Sequence, residues 1–391
     1  MRNGPDSAAG AHRAASSRRR GVAIGLAAAL AGAIALAAGA LLRARQEPVA
    51  SASPLEARAA FEAAFAPEAM RGPDPLSREP ATTAATVALL ASAAARLGDE
   101  EAALRLADRL LALSKKPGPG WGLESPFDAF NDGSANPPGT IYGAETALAA
   151  GALLDAFALT GEPKYRDAAN AALDHYRAFT VRNAKGLFMA YSDQPADRIP
   201  VYATAALLMG EYARAGAVTD RADFDALADE LFQGLRSEKW DSEIGAAWPY
   251  SATNPFWNDA VNAASIGFGI AAYAKHRPKH RPLPAPELDE VRRYLRSFLH
   301  DGFVGEFARH AKLKPKLSRP TPVSGVGMLM AALAELGDCE APRAIAGRLG
   351  PYRLPGLRLG YLPSDHAYYP RANAHVVFGL AAVERACASR G

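Results

Sequence analysis

Six stretches of this chain are apolar on nearly every face, and they recur. They begin near Ala81, Thr140, Pro200, Asp259, Pro322 and Ala372, at intervals of about 50 to 63 residues. Their text is rich in Ala and Gly, as in TIYGAETALAAGALLDAFALTG and PVYATAALLMGEYARAG. A helix that is apolar all round is a buried one. Between these stretches lie segments with apolar positions at three- and four-residue spacing and charges opposite, at 100–113, 163–179, 222–235, 285–299 and 341–349, with 55–65 available as a sixth. Buried and half-exposed helices therefore alternate in a two-helix repeat. Six such pairs can close into a ring with the buried helices inside; an open superhelix is the competing arrangement. The expected fold class is all-α, over residues 55–391, because strand-type runs are few.

Composition changes the picture little. The chain has 391 residues, 49% of them hydrophobic, enough for a sizeable core. The net charge is +3 and the basic residues are scattered, which speaks against a nucleic-acid partner. The N-terminus adds more. Residues 1–20 are small, polar and basic, and read as a disordered cytoplasmic tail ending in Arg18-Arg19-Arg20. Residues 21–42 carry no charge and as a helix span roughly 33 Å, enough for a bilayer core. The preceding arginines favour a cytoplasmic N-terminus, which places the bulk of the chain on the periplasmic or extracellular side of the cytoplasmic membrane, behind a linker at 43–54. A cleaved signal peptide is the alternative, with small-residue sites at Ala35-Leu36-Ala37 and Ala38-Gly39-Ala40. The lipid bilayer is thus an expected partner through 21–42. Two cysteines, Cys339 and Cys387, build no metal spacing and leave a disulfide or two separate thiols open. No metal and no cofactor is expected, and the sequence sets no oligomeric state.

The chemistry sits in the loops before the apolar helices. In a ring these loops meet at one mouth, beside helix N-termini whose unpaired N–H groups favour an anionic ligand. The run GWGLESPFDAFNDGSANPPGTIYGAETALAAGALLDAF brings Trp121, Asp128 and Asp132 to a helix whose opening turn carries Tyr142 and Glu145 on one face. Later loops add Tyr191 and Tyr202, then Trp248, Trp257, Asp259 and Asn262, and finally His366, Tyr368, Tyr369, Arg371 and His375 in DHAYYPRANAH. The loops at the opposite end, such as LTGEP, are short and plain. Long aromatic and acidic loops on one side only suit sugar recognition. Structural roles compete at each position: Asp128 and Asp132 as turn caps, Asp259 as a helix cap, the tryptophans as core wedges.

This alternation resembles the (α/α)6 toroid of many carbohydrate-active enzymes. Within that class, FDAFNDGSANPPGTIYGAETALAAGALLDAF and YLPSDHAYYPRANAHVVFGL are similar to the C-terminal helical domain of D-glucuronyl C5-epimerases. The resemblance implies tyrosine and acid chemistry on a polymeric uronate, carried by Tyr142, Glu145, Tyr368, Tyr369 and His375. Proton abstraction from a uronic acid also needs a cation on the carboxylate, a part that suits Arg371. Glycoside hydrolysis needs instead a protonated and an ionised carboxylate, for which Asp128, Asp132, Glu145 and Asp259 are candidates. The expectation is a polysaccharide-modifying protein, epimerase- or lyase-like ahead of hydrolase. The substrate-binding residues would be Trp121, Asp132, Tyr191, Tyr202, Trp248, Trp257, Asn262, Arg371 and His366. A non-catalytic glycan-binding protein is the reading from another class.

Overall fold

The apolar helices form because their Ala-rich text has high helix propensity and no polar face to leave in water. In the computed structural model, which describes residues 70–75, 80–114, 119–130, 132–277, 282–310, 317–354, 358–365 and 367–387, they are Ala84–Leu97 (α1), Gly143–Thr160 (α3), Tyr202–Thr219 (α5), Ala260–His276 (α7), Val323–Glu335 (α9) and Pro370–Cys387 (α11). The amphipathic helices between them are Glu100–Leu113 (α2), Pro163–Tyr176 (α4), Ala222–Glu238 (α6), Ala285–Arg296 (α8) and the short Glu340–Ala346 (α10). Each apolar helix packs on the next, and α11 packs back on α1. That last contact closes the ring and excludes the open superhelix. Helices α2, α4, α6, α8 and α10 lie outside, each against the inner helix before it.

Two glycines let the inner helices approach closely. A Cβ at Gly269 of α7 would lie 2.1 Å from the Ala206 carbonyl oxygen of α5. One at Gly327 of α9 would lie 2.2 Å from the His375 carbonyl carbon of α11. At both crossings backbone meets backbone, so any side chain there would force the ring open.

The all-α expectation needs one correction. Among the described residues, four antiparallel hairpins punctuate the ring: Gly72–Pro73 with Pro80–Ala81 (β1, β2), Thr180–Asn183 with Gly186–Met189 (β3, β4), Trp240–Ser242 with Gly245–Ala247 (β5, β6), and Leu299–His300 with Phe303–Val304 (β7, β8). The last three each join an outer helix to the following inner one. Strands of two to four residues are too short to show the alternation by which strands are read from sequence.

Cys339 and Cys387 form a disulfide, with Cα atoms 5.7 Å apart, which ties the start of α10 to the end of α11. The predicted membrane helix at 21–42, its flanking segments and the outer helix expected at 55–65 lie outside the described residues. No described helix is long and apolar enough to cross a membrane.

Candidate functional site

The loops before the inner helices are stitched into a continuous lip. Gly143 N–H donates to the Tyr191 carbonyl (3.0 Å), Tyr202 N–H to Tyr250 (3.3 Å), Ala260 N–H to Glu306 (2.8 Å) and Val323 N–H to Tyr361 (2.9 Å). In each case the opening N–H of one inner helix is capped by the loop of the next sector. The α1 N-terminus is served by a side chain: Ala85 N–H donates to Glu145 Oε2 at 2.7 Å. One opening N–H at each of these helices is therefore already satisfied by a neighbouring sector, which leaves fewer of the four for an anionic ligand.

The capping residues define the site. Tyr191, Tyr250, Glu306 and Tyr361 hold equivalent places in four successive sectors, and all are half-buried. They share one electrostatic basin. The Tyr191 phenol lies in the field of Tyr250, Arg371, Tyr142 and Glu145, and that of Tyr361 in the field of Asp259, Glu306, Tyr369 and Arg371. Burial raises the Tyr250 phenol to about 12, with Asp259 and Asp197 adding to the effect. Of the four, only Tyr191 was among the predicted site residues. The signal for the others is a recurring short motif, AYS, PYS and GEF after a hairpin and GYL after the isolated Arg353–Leu359 bridge.

Glu145 and Arg371 act on the Tyr191 phenol and Asp259, Tyr369 and Arg371 on that of Tyr361, but several of these groups have other commitments. Glu145 is 2% exposed and pairs with Arg371, which also reaches Asp74 Oδ2 at 3.5 Å. Burial raises the Glu145 carboxyl above its usual range in spite of Arg371. Burial alone would lower the guanidinium; Glu145 and Asp74 outweigh that and hold it above its ordinary value. Asp74, buried in the β1–β2 turn, gave no sequence signal in its Pro-rich stretch.

Tyr142 is 4% exposed and accepts a hydrogen bond from Asn136 Nδ2 (3.2 Å), which also donates to Asp197 (2.6 Å). Burial raises its phenol to about 12. Its ring packs edge-on against Tyr191, with centroids 5.5 Å apart. His375 is buried, its Nδ1 is 2.8 Å from the Arg371 carbonyl, and burial lowers it to about 4. At these values the phenol is almost wholly protonated at neutral pH and the imidazole is a weak base.

Asp259 fits chemistry better. It caps α7 by accepting from the N–H and the Nδ2 of Asn262, each at 2.9 Å. Burial nonetheless raises its carboxyl above the usual range, against those two bonds. Its neighbour Glu306, from the next loop, pairs with Arg319.

Most of the remaining predicted residues have partners within the fold. Asp128 accepts from Asp132 N–H (3.2 Å) and Gly133 N–H (2.8 Å), and Asp132 accepts from Ser134 N–H (2.9 Å), so the two fold their own loop. Trp121 and Trp248 are core wedges at equivalent places: the indole N–H of each donates at 2.8 Å to an outer helix, at the Leu110 and Leu235 carbonyls. Tyr202 is fully buried against Phe188. Tyr368 lies under the Arg358 guanidinium, 5.0 Å from the ring centre. Trp257 stacks on His310 with centroids 4.2 Å apart, and Asn262 serves Asp259. His366 lies outside the described residues. Among the described residues, no group of three acidic, His or Cys side chains is arranged to hold a metal ion.

No protein-family model matches the chain, and no curated protein matches it in sequence. Solved structures do share its fold. The GH76 alpha-mannanase of Bacteroides thetaiotaomicron superposes with a TM-score of 0.60 at 11% identity, covering 88% of this chain and 99% of that one. A glycosyl hydrolase of family 88 from Bacteroides vulgatus gives 0.58 at 10% identity, over 85% and 97% of the two chains. The GH76A alpha-1,6-mannanase of a Salegentibacter species, solved as an inactive variant with alpha-1,6-mannotriose, gives 0.57 at 11%, over 83% and 97%. At these identities the likeness is one of fold, and the ring described here is the (α/α)6 toroid found in those carbohydrate-active enzymes.

Proposed function

We propose that this protein is a glycan-modifying enzyme that binds a polysaccharide across the mouth of the ring and hydrolyses it, with Asp259 as the general acid. The observation that carries this is the Asp259 carboxyl. It sits at the lip among Tyr250, Tyr361 and Glu306, and burial favours its protonated form. A glycosidase needs one carboxyl held protonated beside one held ionised. Glu306, paired with Arg319, is the partner carboxylate in this reading. The proton-abstraction set implied by the epimerase resemblance is weakened by the same geometry. Arg371 is committed to two carboxylates and so is not free to neutralise a uronate, and His375, lowered to about 4 by burial, is a weak base for its proton. A neutral glycan is the substrate class that fits a mouth lined by tyrosines and carboxylates. The fold neighbours that act on mannans support a polysaccharide partner.

The reading extends to location. The disulfide suits an oxidising compartment, and with the uncharged segment 21–42 it supports a ring tethered outside the cytoplasm.

The test is an assay of the wild type and Asp259→Asn on a panel of neutral and uronate-containing oligosaccharides, read for new reducing ends. Hydrolysis by the wild type, lost at least 100-fold in the variant, supports the proposal. Unsaturated ends in place of plain reducing ends reassign the reaction to elimination. Turnover of uronate glycans alone overturns the neutral-substrate assignment.

A further inference from the structure

Two aromatic side chains at the lip have no task within the ring. Phe256 is 48% exposed, one of three large hydrophobic residues with substantial exposure among those described. Its ring meets that of Phe307 edge-on, with centroids 5.8 Å apart and planes at 88°. Phe256 lies three residues before Asp259, and Phe307 directly follows Glu306. Resting on the hydrolase reading, we infer that Phe256 and Phe307 form a shelf on which a further sugar ring of the polysaccharide stacks next to the cleavage point.

The shelf is rigid. Its loop is held by pairing of Pro249 with Trp257, by Tyr250 N–H donating to the Phe256 carbonyl (3.0 Å), and by Asn254 N–H donating to Ser251 Oγ (3.0 Å). On the other side, Glu306 N–H donates to the Arg319 carbonyl at 2.9 Å. Trp257 is the support rather than the surface: it stacks on His310 at 4.2 Å and meets Trp240 edge-on at 5.4 Å. A rigid apolar ring in water binds at little entropic cost.

The surroundings select the occupant. Exposed Thr253 and Asn254 stand beside Phe256; the Thr253 hydroxyl shares a 3.3 Å bond with Ser251 and Asn254 Oδ1 accepts from Phe256 N–H, so the apolar face is flanked by neutral polar groups of which the Asn254 side-chain amide N–H is the one these bonds do not use. A pyranose has that composition: an apolar C–H face with hydroxyls at its edge. Two rings are too small an area for a stable protein partner, which buries about 800 Å² a side.

The test measures binding of the Asp259→Asn protein, which holds glycan without turning it over, to oligosaccharides of the preferred class from disaccharide to octasaccharide. It then compares Phe256→Ala and Phe307→Ala in that background. Both sites face solvent in part, and thermal unfolding checks that each variant is folded. The expected result is a loss of about tenfold in affinity for the longer oligosaccharides and none for the disaccharide. Equal affinity of variant and parent for every length overturns the shelf and leaves the hydrolase reading intact, as does an equal loss at every length. Absence of glycan binding by both wild type and Asp259→Asn removes both. Loss of self-association in Phe256→Ala, with glycan affinity unchanged, makes the shelf a contact between copies and overturns the inference.

Discussion

Arg371 and Glu145 are 226 positions apart in the chain and form an ion pair at the floor of the mouth. Arg371 opens α11, the last inner helix, and Glu145 opens α3. The other oxygen of Glu145 caps α1, and Arg371 reaches back to Asp74 ahead of α1. The pair therefore sits where the end of the ring meets its beginning. One cation serves two buried carboxylates, so the seam depends on it.

Removing that cation should be costly. Arg371→Ala removes the cation that Glu145 and Asp74 share, and breaking a buried pair costs about 3–5 kcal/mol. The double variant Arg371→Met with Glu145→Met should be less destabilised, since it leaves one buried carboxylate rather than two. Urea denaturation of the three proteins measures this. A loss below about 1 kcal/mol in Arg371→Ala would show that the helix contacts alone close the ring.

The ring itself was readable because buried helices must be apolar all round, and a repeat of six such helices leaves few ways to pack. The lip was only half readable. Glu145, Arg371 and Asp259 stand out as charges beside apolar helices; Glu145 and Arg371 pair with each other, while Asp259 caps its own helix. What a sequence does not show is who satisfies whom. Glu145 and Arg371 looked like catalytic and binding groups because each is polar and buried, but their partners come from distant sectors. Asp128 and Asp132 looked equally functional, yet they fold their own loop through local backbone bonds. The hairpins were invisible because two to four residues carry no periodicity.

A second buried charge cluster lies toward the C-terminal ends of the inner helices, and it predicts a pH dependence. Glu211 of α5 packs against Gly151 of α3, where a Cβ would lie 2.8 Å from Glu211 Oε1. It faces Arg214, Asp155, Arg96 and Glu335. Arg214 gives its closer bond to Asp155, at 2.7 Å, and stands 4.0 Å from Glu211. Burial raises Glu211 from 4.5 to about 7 in the fold. The folded state thus holds a proton that the unfolded chain has released between these values. This contribution to stability is complete below pH 4.5, falls as pH rises toward 7 and is gone above it. Glu211→Gln keeps the neutral form at every pH. Its stability relative to wild type should climb over that window by a few kcal/mol, at about 1.4 kcal/mol per pH step, and then level off. A difference that does not vary with pH would show that Glu211 stays ionised in the fold.

The disulfide should hold the end of α11 in place. Cys339 and Cys387 are separated by 48 positions, and loop-closure entropy assigns such a crosslink about 4 kcal/mol. The Cys339→Ser, Cys387→Ser double variant, or wild type with reductant, should unfold at lower denaturant. The crosslink lies at the far end of α11 from Arg371, so glycan affinity at low temperature should change little. An unchanged midpoint would mean that the unfolded chain is already constrained there.

Tyr142 separates the structural account of the floor from a catalytic one. Its hydroxyl accepts one bond from Asn136, which keeps its 2.6 Å bond to Asp197 when the hydroxyl is removed. Tyr142→Phe should therefore cost about 1 kcal/mol of stability and leave turnover within about twofold of wild type. A phenol raised to about 12 is almost fully protonated at neutral pH and makes a poor base. Asp259→Asn should show the reverse pattern, with turnover lost and stability nearly kept, because asparagine caps a helix as well as aspartate does. If Tyr142→Phe instead lost 100-fold in kcat at unchanged stability, the phenol would be part of the chemistry, and proton abstraction would replace hydrolysis as the better account of the mouth.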